Sequence, residues 1–192
     1  MTRLVALLDA NVLYPAPIRD LLLQLAAAGH YHARWSDDIH DEWIRNVLIN
    51  RPDLDIAQLT RTRQLMDRHV RDARVEDYDG LIAGLTLPDL EDRHVLAAAI
   101  AGGANYIVSF NLKDFPAAAL LPHGIEPVHP DDFLMMLYRA DTQACADAVA
   151  AILTRLRNPP VSRADYLVLM RALALNQFAN AIAADHQKPD RG

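Results

Sequence analysis

Leu4-Val5-Ala6-Leu7-Leu8 is an unbroken apolar run that stops at Asp9, with Asn11 close behind. A short apolar run closed by polar residues is the pattern of a strand buried on both faces, as in a parallel sheet covered by helices. Asp9 then falls at the carboxyl end of that strand. In open α/β sheets this edge is where ligands bind. Two roles suit an acid there: capping the helix that follows, or serving a site.

The rest of the chain decides between α/β and other architectures. Pro17 suits the start of a helix. Ile18, Leu21, Leu22, Leu25 and Ala28 continue it at helical spacing, and Gly29 ends it. His30 to Trp35 reads as a short second strand. Ser36 is an N-cap, with Asp37 and Asp38 in the first turn, for a helix whose apolar stripe is Ile39, Trp43, Val47 and Leu48. Glu42 lies on the edge of that stripe, and Arg51-Pro52 closes the helix. A third helix is expected from Asp55 to Ala73, with Ile56, Leu59, Leu65, Met66 and Val70 inward. Its other face, continued to Arg74, carries Arg61, Arg63, Arg68 and Arg71, the one basic concentration in the chain. It reads either as a solvated face paired with Asp67 and Asp72 or as a phosphate-contacting rim.

Residues 75–90 read as a loop. Asp92 then leads into a wholly apolar helix, Val95 to Ala101, stopped by Gly102-Gly103. Asn105 to Phe110 is a further buried strand. Asn111 and Asp114 follow it, then a short helix at 117–121 and a last strand at 125–128. Helices alternating with strands imply a parallel sheet with right-handed crossovers. Beyond Pro130 only helices are expected: 132–138, 142–157 and 162–184, with Asp131 and Ser162 as caps. The expected organisation is an α/β domain at 1–130, an all-helical extension at 131–186, and a disordered tail at 187–192.

Composition narrows the function. With 52% hydrophobic and 23% charged residues the chain is globular, not disordered. A single cysteine, Cys145, excludes an internal disulfide and suits a reducing, cytoplasmic setting. The apolar stretch before Asp9 is too short for a signal peptide core, and no membrane span is expected. The net charge of −6 argues against a general phosphate-backbone binder. A nucleic-acid role must therefore rest on a local basic patch, or on metal ions that invert the charge of an acidic pocket.

Four acids occupy comparable places: Asp9, Glu42, Asp92 and Asp114. Distant in sequence, they are expected to converge at the carboxyl edge of one sheet. Carboxylates sharing a pocket repel one another and retain protons unless a cation neutralises them. Mg²⁺ or Mn²⁺, which prefer oxygen ligands, fit such a set. An Asp after the first strand also occurs in phosphatases of the haloacid-dehalogenase type. That chemistry needs a second Asp two residues on, where Asn11 stands, and a downstream Lys that is not evident.

Taken together, Leu7-Leu8-Asp9-Ala10-Asn11-Val12-Leu13, Glu42 within a helix, Asp92 before an Ala-rich helix, and Ser109-Phe110-Asn111-Leu112-Lys113-Asp114-Phe115 resemble a PIN domain. More narrowly, the chain resembles VapC-type ribonuclease toxins of toxin–antitoxin pairs, in a branch with a C-terminal helical extension. The resemblance implies that Asp9, Glu42 and Asp92 bind a catalytic Mg²⁺ or Mn²⁺. Where the family often has a fourth acid, two residues after the Ser or Thr, this chain has Asn111, so Asp114 is the expected substitute. Asn11 and Ser109 are expected to orient the ligands, and Arg61, Arg68, Arg71 and Arg93 to meet the substrate. The implied partners are RNA, a cognate antitoxin and a second copy of the chain. The alternative is a non-catalytic PIN-like module that binds RNA or protein through the same groove.

Overall fold

A computed structural model describes residues 4–185; the tail expected at 187–192 lies outside them. Four short strands, β1 (Val5–Leu8), β2 (His32–Arg34), β3 (Tyr106–Val108) and β4 (Glu126–Val128), form one sheet in the order β2-β1-β3-β4. Every pairing is parallel, with Leu7 opposite Arg34 and Ile107, and Val108 opposite Val128. The apolar runs behave as their composition requires: Ala6, Leu7, Leu8, Ile107 and Val108 are fully buried. Pro127, which has no N–H to donate, sits in an edge strand.

Helices cover both faces of the sheet. They are α1 (Ala10–Leu13), α2 (Ala16–Ala27), α3 (Asp37–Asn50), α4 (Ile56–His69), α5 (Asp79–Ile82), α6 (Arg93–Ala101) and α7 (Ala117–Leu120). Four more, α8 (Pro130–Ala140), α9 (Thr142–Arg155), α10 (Arg163–Ala172) and α11 (Asn176–Asp185), form the C-terminal extension. Among the described residues no helix is long and apolar enough to cross a membrane.

The sheet order determines where a site can form. The connection from β1 to β2 runs to one side and β3 lies on the other, so the order reverses between β1 and β3. Crevices outside the carboxyl ends at such a reversal are where open α/β sheets bind ligands. Asp9 and Ser109 are the residues just past the two strands at this point. The Asp9 amide donates to the Val108 carbonyl (3.1 Å), and the Ser109 amide to that of Val128 (3.1 Å).

A buried polar cluster fixes α3, the helix that carries Glu42. Ser36 caps it by accepting from the Ile39 amide (3.3 Å). His40, Trp35 and Trp43 are fully buried. The Trp43 indole donates to His40 Nδ1 (2.9 Å), so the imidazole proton sits on Nε2, facing Asp67 Oδ1 on α4 at 3.2 Å. The same Asp67 oxygen accepts from the Trp35 indole (2.8 Å). Burial lowers the His40 pKa, outweighing the pull of Asp67, so this contact is a hydrogen bond of a neutral ring.

Several local expectations are corrected. A short helix, α5, interrupts the segment expected to be a loop. On α4, Leu59 and Met66 are buried but Ile56 and Leu65 are 59% and 43% exposed. The helix packs along one narrow stripe, and these two fall beside it. The arginines of α4 do not form one free face. Arg63 is paired with Asp37 (2.6 Å) and Asp41 (2.8 Å) on α3, and Arg74 with Asp37 (2.8 Å) and Glu76 (3.2 Å).

The helix expected over 162–184 is two helices, α10 and α11, separated by Ala174 at φ 60°. The cause lies far away in sequence. Asp131, buried near the start of α8, accepts from the Gln177 and Phe178 amides (2.9 Å each) and so caps α11. The cap expected of Asp131 for its own helix comes instead from His129, whose Nδ1 accepts the Asp131 amide (3.2 Å). The extension is continuous with the main core. Phe133 packs edge-on against Tyr31 (5.1 Å between ring centres), and α9 lies along α2, where Arg155 donates to Gln24 (2.9 Å).

Candidate active site

Asp9 is held by three donors. Its Oδ1 accepts from the Ala10 amide (2.7 Å), and its Oδ2 from the Asn11 amide group (2.7 Å) and the Ser109 hydroxyl (2.7 Å). It thus makes a cap-like bond at α1 while also lining a cavity. Asn11 is fixed in turn. Its Nδ2 also donates to Ser109 Oγ (2.9 Å), and its Oδ1 accepts from the Phe110 amide (3.1 Å). Ser109 Oγ accepts from the Asn111 amide (3.0 Å). The β1 and β3 ends are therefore stitched together by side chains.

Above this network lies a cavity of about 650 Å³. Asp9, Glu42, Asp92 and Asp114 all line it, although they come from four separate segments. Asn11, Asn111, Asp38, Asp41, Asp89, Glu91, His94 and Arg45 complete the wall. Asp92 precedes α6 without making a cap bond, which leaves its carboxyl to the cavity. Asn111 does not stand in for the missing acid: its Nδ2 donates to Asp114 Oδ2 and so holds that carboxylate. His94, the second residue of α6, faces Glu42 at 3.7 Å.

Electrostatics reflect the crowding. Burial pushes the Asp9 carboxyl up to about 6; the Ser109 hydrogen bond opposes this, and the charge of Glu42 adds to it. Asp92 is pushed up to about 7, by burial first and then by Asp9, Asp114, Asp89 and Glu42. Burial works against the charged form of His94, but Glu42, with Asp38 and Asp9 beyond it, keeps its pKa above the ordinary value.

The donor set suits a hard divalent cation: oxygen ligands, two of which, Asp9 and Asp92, are pushed toward neutrality by burial and neighbouring carboxylates. As the side chains stand among the described residues, no three acids, histidines or cysteines are drawn close enough to enclose an ion. The acids line the cavity from separate segments without closing on a common point.

The expected substrate arginines are not in this wall. Arg61 and Arg68 line a separate groove on the outer side of α4, and Arg71 a third one beside β2. Arg93 donates to the Leu90 carbonyl (3.0 Å). Arg45, which does line the acidic cavity, was not singled out from the sequence. Its helical spacing from Glu42, three residues on, is the signal that places it on the same side of α3.

Comparison with known proteins agrees with this architecture. A family model described as a PIN domain matches residues 5–113, and one described as the VapC50 C-terminal domain matches residues 130–184. The chain is also similar to the Mycobacterium tuberculosis (strain ATCC 25618 / H37Rv) protein named "Putative ribonuclease VapC50", with 49% identity over 70 residues. That stretch is 35% of this chain and 41% of that protein, so the match spans less than half of either. No solved structure matches the chain significantly. The parallel sheet of order β2-β1-β3-β4, the acids at its carboxyl edge and the family match over most of the α/β portion lead to one conclusion: the chain belongs to the PIN-domain family.

Proposed function

We propose that the protein is a Mg²⁺- or Mn²⁺-dependent endoribonuclease, acting as the toxin of a VapBC-type pair in the cytoplasm. One observation carries this reading: Asp9, Glu42, Asp92 and Asp114 line a single cavity at the carboxyl edge of the sheet. These four would hold the ion, which when bound supplies an activated water and offsets charge on the phosphoryl group. Asn11 and Ser109 fix the Asp9 carboxylate, Asn111 fixes that of Asp114, and His94 stands against Glu42. Such outer contacts orient ligands and tune their basicity. Single-stranded or looped RNA is the expected substrate, because its backbone and bases are accessible. The acidic cavity also suits an inhibitory partner that offers an arginine to the carboxylates. A homodimer is the expected assembly.

The test is cleavage of a labelled single-stranded RNA by the full chain with Mn²⁺. Activity should vanish in excess EDTA, return on adding Mn²⁺, and fall at least about 10²-fold in Asp9→Asn. Cleavage that is equal in Asp9→Asn, or indifferent to EDTA, contradicts the proposal. RNA binding without cleavage favours the non-catalytic module.

A further inference from the structure

The acidic cavity presents a difficulty for any polyanionic ligand. Eight carboxylates line it: Asp9, Asp38, Asp41, Glu42, Asp89, Glu91, Asp92 and Asp114. Arginine and lysine are represented in that wall by Arg45 alone among the described residues. An arginine on α3, four residues after Asp41 and three after Glu42, is placed to form helical ion pairs with them. Among the described residues it forms none, because each neighbouring acid on the helix has another partner. Asp41 is bound by Arg63 (2.8 Å), Asp38 accepts from the Tyr78 hydroxyl (2.8 Å), and Glu42 faces His94 (3.7 Å). Arg45 is exposed, at the mouth of the cavity. Its charge is neither spent on the protein nor screened by a dedicated carboxylate.

We infer that Arg45 is the residue through which this cavity grips a phosphate of the RNA strand, beside the phosphodiester to be cut. The inference rests on the ribonuclease reading and adds to it a substrate-positioning residue. A guanidinium offers paired N–H donors that match a phosphate's oxygens. Its role is separable from that of the acids: it binds the substrate's backbone and contributes little to holding a cation. Arg61, Arg68 and Arg71, on other surfaces, do not supply this contact.

The experiment uses the full chain as wild type, Arg45→Ala and Arg45→Lys. Binding of a fluorescein-labelled single-stranded RNA is followed by anisotropy over a range of NaCl concentrations, with Ca²⁺ in the buffer. In parallel, KM and kcat for cleavage are measured with Mn²⁺, Mn²⁺ affinity without RNA by calorimetry, and the melting temperature. Arg45→Ala should weaken RNA binding and raise KM by about tenfold, with kcat within about twofold. It should also lower the slope of log K against log[salt] by about 0.7, one phosphate contact on a single strand. Arg45→Lys should restore the slope and part of the affinity. Melting temperature and Mn²⁺ affinity should not fall, which a merely structural role would require.

An unchanged salt slope and KM in Arg45→Ala overturns the inference even if the wild type cleaves RNA. No RNA binding by the wild type overturns it too. If the wild type binds RNA with an Arg45-dependent slope but does not cleave it, the phosphate contact of Arg45 stands, while the nuclease reading and with it the placement beside a cut phosphodiester fail.

Discussion

Replacing Asp92 by Asn is expected to move activity and stability in opposite directions. Cleavage should drop by about 10²-fold or more, because one of the four proposed oxygen ligands loses its charge. The metal-free protein should meanwhile become more stable at pH 8. The sign follows from linkage. The Asp92 carboxyl is raised to about 7 in the folded chain, against about 3.9 when unfolded. Between those values the folded state holds a proton that the unfolded state has released, so stability falls as pH rises through this window. Above it the full penalty is present, and Asn removes it. Asp92 is only partly buried, so the gain is discounted for solvent to about 1 kcal/mol, or roughly 2–4 °C in melting temperature. Near pH 4 the two proteins should melt together. Thermal melts in EDTA at both pH values, beside cleavage assays, check this. A variant that loses activity and stability together at pH 8 would show that Asp92 supports the fold rather than a site.

The second large effect lies in the core. Asp67→Ala removes the acceptor shared by the Trp35 indole and His40 Nε2. Both donors are on fully buried residues, and each one left without a partner costs about 1–3 kcal/mol. A loss of about 2–4 kcal/mol, or roughly 5–15 °C in melting temperature, is expected. His40 is held neutral by burial, so the loss should be similar at pH 7 and pH 8. Asp67→Asn, which keeps an acceptor oxygen, should lose markedly less. Denaturant titration of both variants measures the difference, and equal losses would assign the effect to charge instead of to orphaned donors. Because this cluster fixes α3, Asp67→Ala should also weaken the site through Glu42.

The two predictions draw on features of different legibility. Asp9 and Asp92 could be placed because their neighbours are locally unambiguous: an apolar strand ends at one, and an apolar helix starts after the other. Glu42 and Asp114 followed from the alternation of elements, and all four line one cavity. What was not legible depends on contacts between distant segments. His40 gives no local sign that Asp67, 27 residues on, will accept a hydrogen bond from its ring. Asp131 looks like a cap for the helix it begins, yet its carboxylate breaks the last helix by capping residues 46 and 47 positions away. The arginines of α4 read as one face, but Arg63 turns to α3 while Arg61 and Arg68 line another groove. Arg45 was overlooked because its significance is negative: its neighbouring acids are already taken.

Whether Asp9, Glu42, Asp92 and Asp114 form a divalent-cation site is decided by calorimetric titration with Mn²⁺ at about pH 6.5, in two buffers of different ionisation heat. Ligating carboxyls must give up their protons, and Asp9 and Asp92 are raised to about 6 and about 7. The expected result is saturable binding whose apparent heat differs between the buffers, reporting proton release. In Asp92→Asn, affinity and proton release should both be reduced. No binding at millimolar Mn²⁺, or binding that is unchanged in Asp92→Asn, would contradict the account.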